Sequence, residues 1–154
     1  MSKNFFKCIA LSNIDTLTIG ACNSNNYIEK IIDTFVKIKL SSVKVVEGHN
    51  NDFIYITGHK IIKLHYITND SDGIVKSTTF LEPFTTHVSI DNYIDKPYVC
   101  DYYAKLLSKD YKILCDDSLF FSTFFEIYIK FNEENYSEEI YSEDDSYDEL
   151  DYES

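Results

Sequence analysis

Tryptophan is absent from this chain of 154 residues, and glycine (4), proline (2) and methionine (1) are scarce. So little glycine and proline excludes a collagen-like repeat and a proline-rich linker. An apolar share of 44% excludes disorder throughout. Long apolar runs are missing as well. The richest stretches, residues 53–56 and 119–121, are strand-sized and far from the roughly 18 residues of a membrane helix. The length suits one domain.

Basic residues are missing from the C-terminal end. Residues 132–154 hold eleven acidic side chains and no basic one, so of the net charge of −12 the first 131 residues carry only −1. A nearly neutral body offers no basic footprint for a phosphate backbone, which disfavours nucleic-acid binding. Tyr136, Tyr141, Tyr147 and Tyr152 recur in this acidic field. Such a segment buries too little apolar area to offset its ordering entropy, and residues 132–154 are expected to be a disordered acidic, Tyr-rich tail. Its densest part, Glu143, Asp144, Asp145, Asp148 and Glu149, can solubilise the chain, or attract a basic partner or divalent cations by a diffuse field. It lacks the spaced ligands of an EF-hand.

Paired cysteines are lacking too. Cys8, Cys22, Cys100 and Cys115 form no C-x-x-C, which disfavours a structural zinc site. An intracellular chain keeps such isolated thiols reduced, and Cys100 and Cys115 are expected to be buried as small hydrophobes. Near the N-terminus, Lys3 precedes Phe5, Phe6, Ile9, Ala10 and Leu11, and Ile19-Gly20-Ala21-Cys22 looks like a lipoprotein cleavage site. Lys7 and Asp15 interrupt the apolar stretch that a secretory signal needs. Residues 1–33 are therefore read as an N-terminal arm, with a weak helical hint at residues 27–32. Exposed Cys8 and Cys22 on that arm are candidates for an intersubunit disulfide in an oxidising layer.

Catalytic signatures are absent. No P-loop, G-x-G-x-x-G or G-x-S-x-G occurs, and His49, His59, His65 and His87 form no metal-ligand pair at helical spacing. The acids of the body, from Asp70 and Asp72 to Asp116 and Asp117, lie mostly in turn-like sequence, and no two are singled out. The expectation is no enzyme, with no catalytic residue, metal or cofactor.

What is present is alternation. Val36, Ile38 and Leu40 alternate with Lys37 and Lys39, predicting a strand with one buried face that continues through residues 43–46 after a bulge or bend at Ser41-Ser42. Residues 53–57 form a short strand ended by Gly58, and another carries Ile62, Leu64 and Tyr66. Asn69 to Gly73 predicts a tight reversal. The returning strand, residues 74–81, meets Glu82-Pro83-Phe84, which breaks the ladder and marks an edge or a kink before residues 85–90. Two further β segments, residues 98–107 and 120–131, flank a polar stretch at 108–117, with a helix over 102–107 as an alternative. Six or seven short strands predict an all-β, single antiparallel β-sandwich-like domain over residues 34–131.

The stretch from Gly58 through Lys63-Leu64-His65-Tyr66, followed by Thr78-Thr79-Phe80-Leu81-Glu82-Pro83-Phe84-Thr85-Thr86, resembles the SPOCS domain family of clostridial spore coat and exosporium-associated proteins. Gly58, Tyr66, Pro83 and Phe84 match that family's pattern in order and spacing. The resemblance covers roughly residues 27–131. It implies a non-enzymatic structural or assembly protein of the bacterial spore envelope, made in the mother-cell cytoplasm and deposited on the spore. Its partners would be itself, as a homo-oligomer, fibre or lattice, and other envelope proteins. The peptidoglycan-binding LysM module of some members is missing, and the acidic tail lies outside the pattern. The alternative is an acidic-tailed binding module or assembly chaperone for a basic protein.

Overall fold

The computed structural model describes residues 4–20, 27–70, 72–91, 94 and 96–133. Six long strands account for nearly all of them: β1 (Asn4–Thr18), β2 (Ile28–Val46), β3 (Asp52–Thr68), β4 (Lys76–Ile90), β5 (Pro97–Cys115) and β6 (Ser118–Glu133). They form two antiparallel three-stranded sheets, ordered β1-β6-β5 and β2-β3-β4. The chain thus leaves the first sheet after β1, builds the second as two consecutive hairpins, and returns for β5 and β6. No helix occurs among the described residues, so the helical alternatives at 27–32 and 102–107 give way to strand.

The strands form because β-branched and aromatic residues recur at every second position, and the two sheets bury the resulting faces against each other. Strand β3 contributes Ile54, Ile56, Ile62, Leu64 and Tyr66, while β6 contributes Leu119, Phe121, Phe125, Ile127, Ile129 and Phe131. These side chains fall into two apolar clusters. One gathers Leu17, Ile31, Ile62, Leu64, Leu119 and Phe121, and the other Ile54, Ile56, Phe84, Phe125, Ile127 and Phe131. Each draws on both sheets.

The sequence reading holds at several joints. A register shift between Leu40 and Ser42 is the expected bulge. The reversal after β3 places Asp72 (φ 48°) and Gly73 (φ 81°) in the left-handed region, where Asp and above all Gly are tolerated. Phe84 is buried.

Other expectations are corrected. Residues 4–18, read as part of an arm, are strand β1, paired with β6 along the whole length from Asn4↔Asn132 to Thr18↔Ser118. β2 begins at Ile28, not at Thr34. Gly58 does not end a strand, and Pro83 does not break one: β3 and β4 run straight through, with His59 opposite Pro83. The proline is tolerated because β4 is an edge strand, the setting in which a missing N–H need not cost a ladder bond. The polar stretch at 108–117 is mostly strand β5, and only Asp116 and Asp117 form the turn into β6. That turn stitches one end of the sandwich. Its carbonyls accept from Ile19 N–H (Asp117, 2.8 Å) and Ile28 N–H (Asp116, 2.6 Å), fixing where the chain leaves one sheet and enters the other.

Candidate functional site

Three groups of side chains stand out, beginning with the four residues behind the family resemblance. Gly58 and Phe84 face each other across the β3–β4 ladder. A Cβ on Gly58 would lie 2.8 Å from Phe84 Cζ and 2.5 Å from the Lys39 carbonyl oxygen, so only glycine admits both the ring and the bulged β2 strand at this point. Phe84 then meets Phe125 edge-on, with centroids 5.1 Å apart, bridging the two sheets. Tyr66 is buried, and its hydroxyl bonds Thr78 Oγ1 at 3.0 Å. Pro83 is exposed on the edge. Glycine, phenylalanine and tyrosine thus hold the core and the ladder.

The second group is polar and lies inside the sandwich. Lys60 shares the inward face of β3 with the isoleucines around it and is completely buried, at 0% exposure. Its ammonium reaches across to the carboxylate of Asp15 on β1, whose side chain is 17% exposed. Thr123 on β6 is also buried, and its Oγ1 has no hydrogen-bond partner among the described residues. Lys60 and Thr123 sit at the level where the two apolar clusters part. The polar layer was missed in the sequence, although Lys60 keeps the parity of Ile54, Ile56, Ile62 and Leu64.

The third group lies on the outer face of the β1-β6-β5 sheet. Cys8, Tyr128 and Tyr103 stand in one row across the three strands. The tyrosine rings stack at 4.8 Å and 20°. Tyr128 Oη and Cys8 Sγ both donate to Glu126 Oε2, the thiol from 3.8 Å. The carboxylate pulls on both protons. Tyr128 is pushed up to about 12, first by that hydrogen bond and then by desolvation and charge. The Cys8 thiol is raised by desolvation and by the charge of Glu126. A raised thiol is a poorer source of thiolate than an ordinary one. The row borders an open groove of about 410 Å³ that also touches Phe6, Asp101 and Lys130.

The remaining candidates are dispersed. Cys8 is exposed, as expected, but so are Cys100 and Cys115, which were expected to be buried. Their half of the reading is corrected: both lie on β5, an edge strand with shifted register near each of them. Cys22, the other half of the proposed disulfide, lies outside the described residues, as do Glu143, Asp144, Asp145, Asp148 and Glu149. His65 faces Asp33 across β2–β3 at 3.8 Å and packs edge-on to Phe35. His59 Nδ1 lies 3.5 Å from Ser41 Oγ. Among the described residues no three His, Cys, Asp or Glu side chains converge as a metal site.

What the outer face does offer is apolar surface. Phe6 and Ile14 on β1 are 72% and 70% exposed, and Phe120, Phe124 and Tyr103 extend the surface across β6 and β5. Compared with protein-family models, curated proteins and solved structures, the chain finds no match.

Proposed function

We propose that this chain is a non-enzymatic structural and assembly protein that self-associates or binds other proteins of a bacterial spore envelope. The observation that carries the assembly reading is the exposed apolar surface on the outer face of the β1-β6-β5 sheet, anchored by Phe6, Ile14 and Phe124. Monomers rarely expose large contiguous apolar patches that serve no interaction. The spore setting rests on the resemblance carried by Gly58, Tyr66, Pro83 and Phe84. The test is quantitative mass spectrometry of vegetative cytoplasm and of purified spores, the latter extracted with and without reductant. Enrichment in spores supports the reading. Abundance in vegetative cells with none in spores overturns the spore setting.

A second reading, an acidic-tailed binding module for a basic protein, is favoured by the charge that begins where β6 ends. Deleting residues 134–154 separates the two, because β6 itself still pairs with β5 up to Glu133. A binding module loses its basic partner on deletion, whereas an assembly protein still associates.

A further inference from the structure

We infer that two copies of this chain join through the free edge of β1, in an antiparallel pair centred on Leu11. The inference rests on the assembly reading and names its first contact.

The sandwich has four edge strands, and three are blunted. β2 carries three register shifts, between Ile28 and Lys30, Ile31 and Asp33, and Leu40 and Ser42. β5 carries three more, and its Lys109 ammonium caps the Thr34 carbonyl of β2, closing that side of the sandwich. β4 has Pro83 in its middle. Bulges and prolines of this kind discourage edge-to-edge pairing. β1 has none of them. Its fifteen residues pair with β6 without a single shift, and its outward face from Phe6 to Thr18 holds no charge.

The backbone direction is also determined. Ile19 N–H bonds the Asp117 carbonyl at 2.8 Å, one step beyond Thr18↔Ser118 in the same register. Antiparallel ladders alternate bonded and non-bonded pairs. Odd-numbered residues of β1 therefore aim their amides at β6, and even-numbered ones, Cys8, Ala10, Ser12 and Ile14 among them, aim theirs at the open edge. A second strand laid antiparallel about Leu11 pairs Ala10 with Ser12 and Cys8 with Ile14 of the partner, even with even, so the outward-facing backbone groups of this central stretch meet partners. Inner face stays on inner face.

Charge selects this register. Lys7 and Asp15 are the two charged residues of β1, each four positions from Leu11. The two-fold pairing sets the Lys7 of each copy opposite the Asp15 of the other, twice per dimer. Lys60 engages Asp15 through Oδ2, and the carboxylate keeps 17% exposure. Shifting the pairing by two residues puts Lys7 opposite Asn13 or Leu17. Antiparallel pairing also separates the acidic C-termini. β6 ends beside Asn4, so the two departure points lie about 45 Å apart, fourteen steps of roughly 3.3 Å along the joined sheet.

Sedimentation velocity on the full chain across a concentration series tests this. The wild type is expected to dimerise. Ala10→Pro removes an outward donor without touching the β1–β6 ladder, and should weaken the dimer about 100-fold while circular dichroism stays unchanged. Should that variant fail to fold, Lys7→Glu leaves the backbone intact and sets two carboxylates together, weakening the dimer about tenfold. With all native cysteines changed to serine, Leu11→Cys should crosslink across the two-fold axis and Ile9→Cys should not, because opposed non-bonded pairs approach to about 4.5 Å while offset ones do not. An oligomer that survives Ala10→Pro and Lys7→Glu overturns the β1 contact and leaves self-assembly standing elsewhere. A chain that is monomeric throughout overturns both.

Discussion

The ring of Phe84 occupies the space that a β-carbon on Gly58 would fill. The two residues stand opposite each other on neighbouring strands, and the missing side chain of one is replaced by the ring of the other. Such a pairing compensates a glycine in a strand interior, which otherwise contributes no packing. Phe84→Ala is expected to cost about 3–5 kcal/mol, since it empties this space and the edge-on contact with Phe125. Gly58→Ala should cost about 1–3 kcal/mol, because it forces the ring and the Lys39 carbonyl apart. Urea denaturation reads both. In the Gly58→Ala background, Phe84→Ala should cost less than it does alone, the sign of a shared contact.

Lys60 gives a second prediction. Removing one partner of a buried pair leaves the other uncompensated, so Lys60→Ala should lose about 3–5 kcal/mol. Replacing both, as Lys60→Met with Asp15→Leu, should bring stability back to within about 1 kcal/mol of the parent or above it. A double variant as damaged as the single one would show that the pair contributes stability of its own, beyond neutralising a buried charge.

Thr123 is the complementary case. Its buried hydroxyl has no partner among the described residues. Thr123→Val keeps the shape and removes the desolvated group, and should leave stability unchanged or raise it by about 1 kcal/mol. A clear loss in thermal denaturation would show that the hydroxyl is hydrogen-bonded in solution.

Titration of the outer face gives the fourth. Tyr128 is raised to about 12, chiefly by its hydrogen bond to Glu126, against about 10 for an unfolded tyrosine. The raised value means that the protonated phenol is favoured in the folded chain. Its contribution is complete below pH about 10 and is lost as pH rises through about 12. Tyrosinate absorbance should show the Tyr128 ring ionising late, and Glu126→Gln should bring its ionisation to lower pH. A late ring that persists in Glu126→Gln would place the cause elsewhere.

The strand segments that sequence made legible are those with three apolar residues in succession on the inner face. Val36, Ile38 and Leu40 on β2, and Ile62, Leu64 and Tyr66 on β3, announce themselves in this way, as does the Asn69–Gly73 reversal. β1 was hidden because its inward positions include Lys7, Asn13 and Asp15, whose partners lie on distant strands. β5 was half hidden because its three register shifts reset the alternation each time. Gly58 and Pro83 read as interruptions because their compensations, a ring across the ladder and an open edge, belong to tertiary structure. The outer-face row of Cys8, Tyr128 and Tyr103 could not be seen, since its members come from three strands.

The pairing of β1 with β6 has a consequence for how the chain is made. Thr18 and its neighbour Ser118 are separated by 100 positions. At roughly 5–20 residues per second, the first strand leaves the ribosome about 5–20 s before its partner. The two hairpins of the β2-β3-β4 sheet can close meanwhile, but the residues that cover their inner face belong largely to β6 and have not been made. Closure of the sandwich is therefore deferred to the end of synthesis. It depends on the most distant contacts in the sequence, the topology associated with folding in milliseconds to seconds rather than microseconds. Until then the first strand lacks the β6 partner along which it lies in the folded chain.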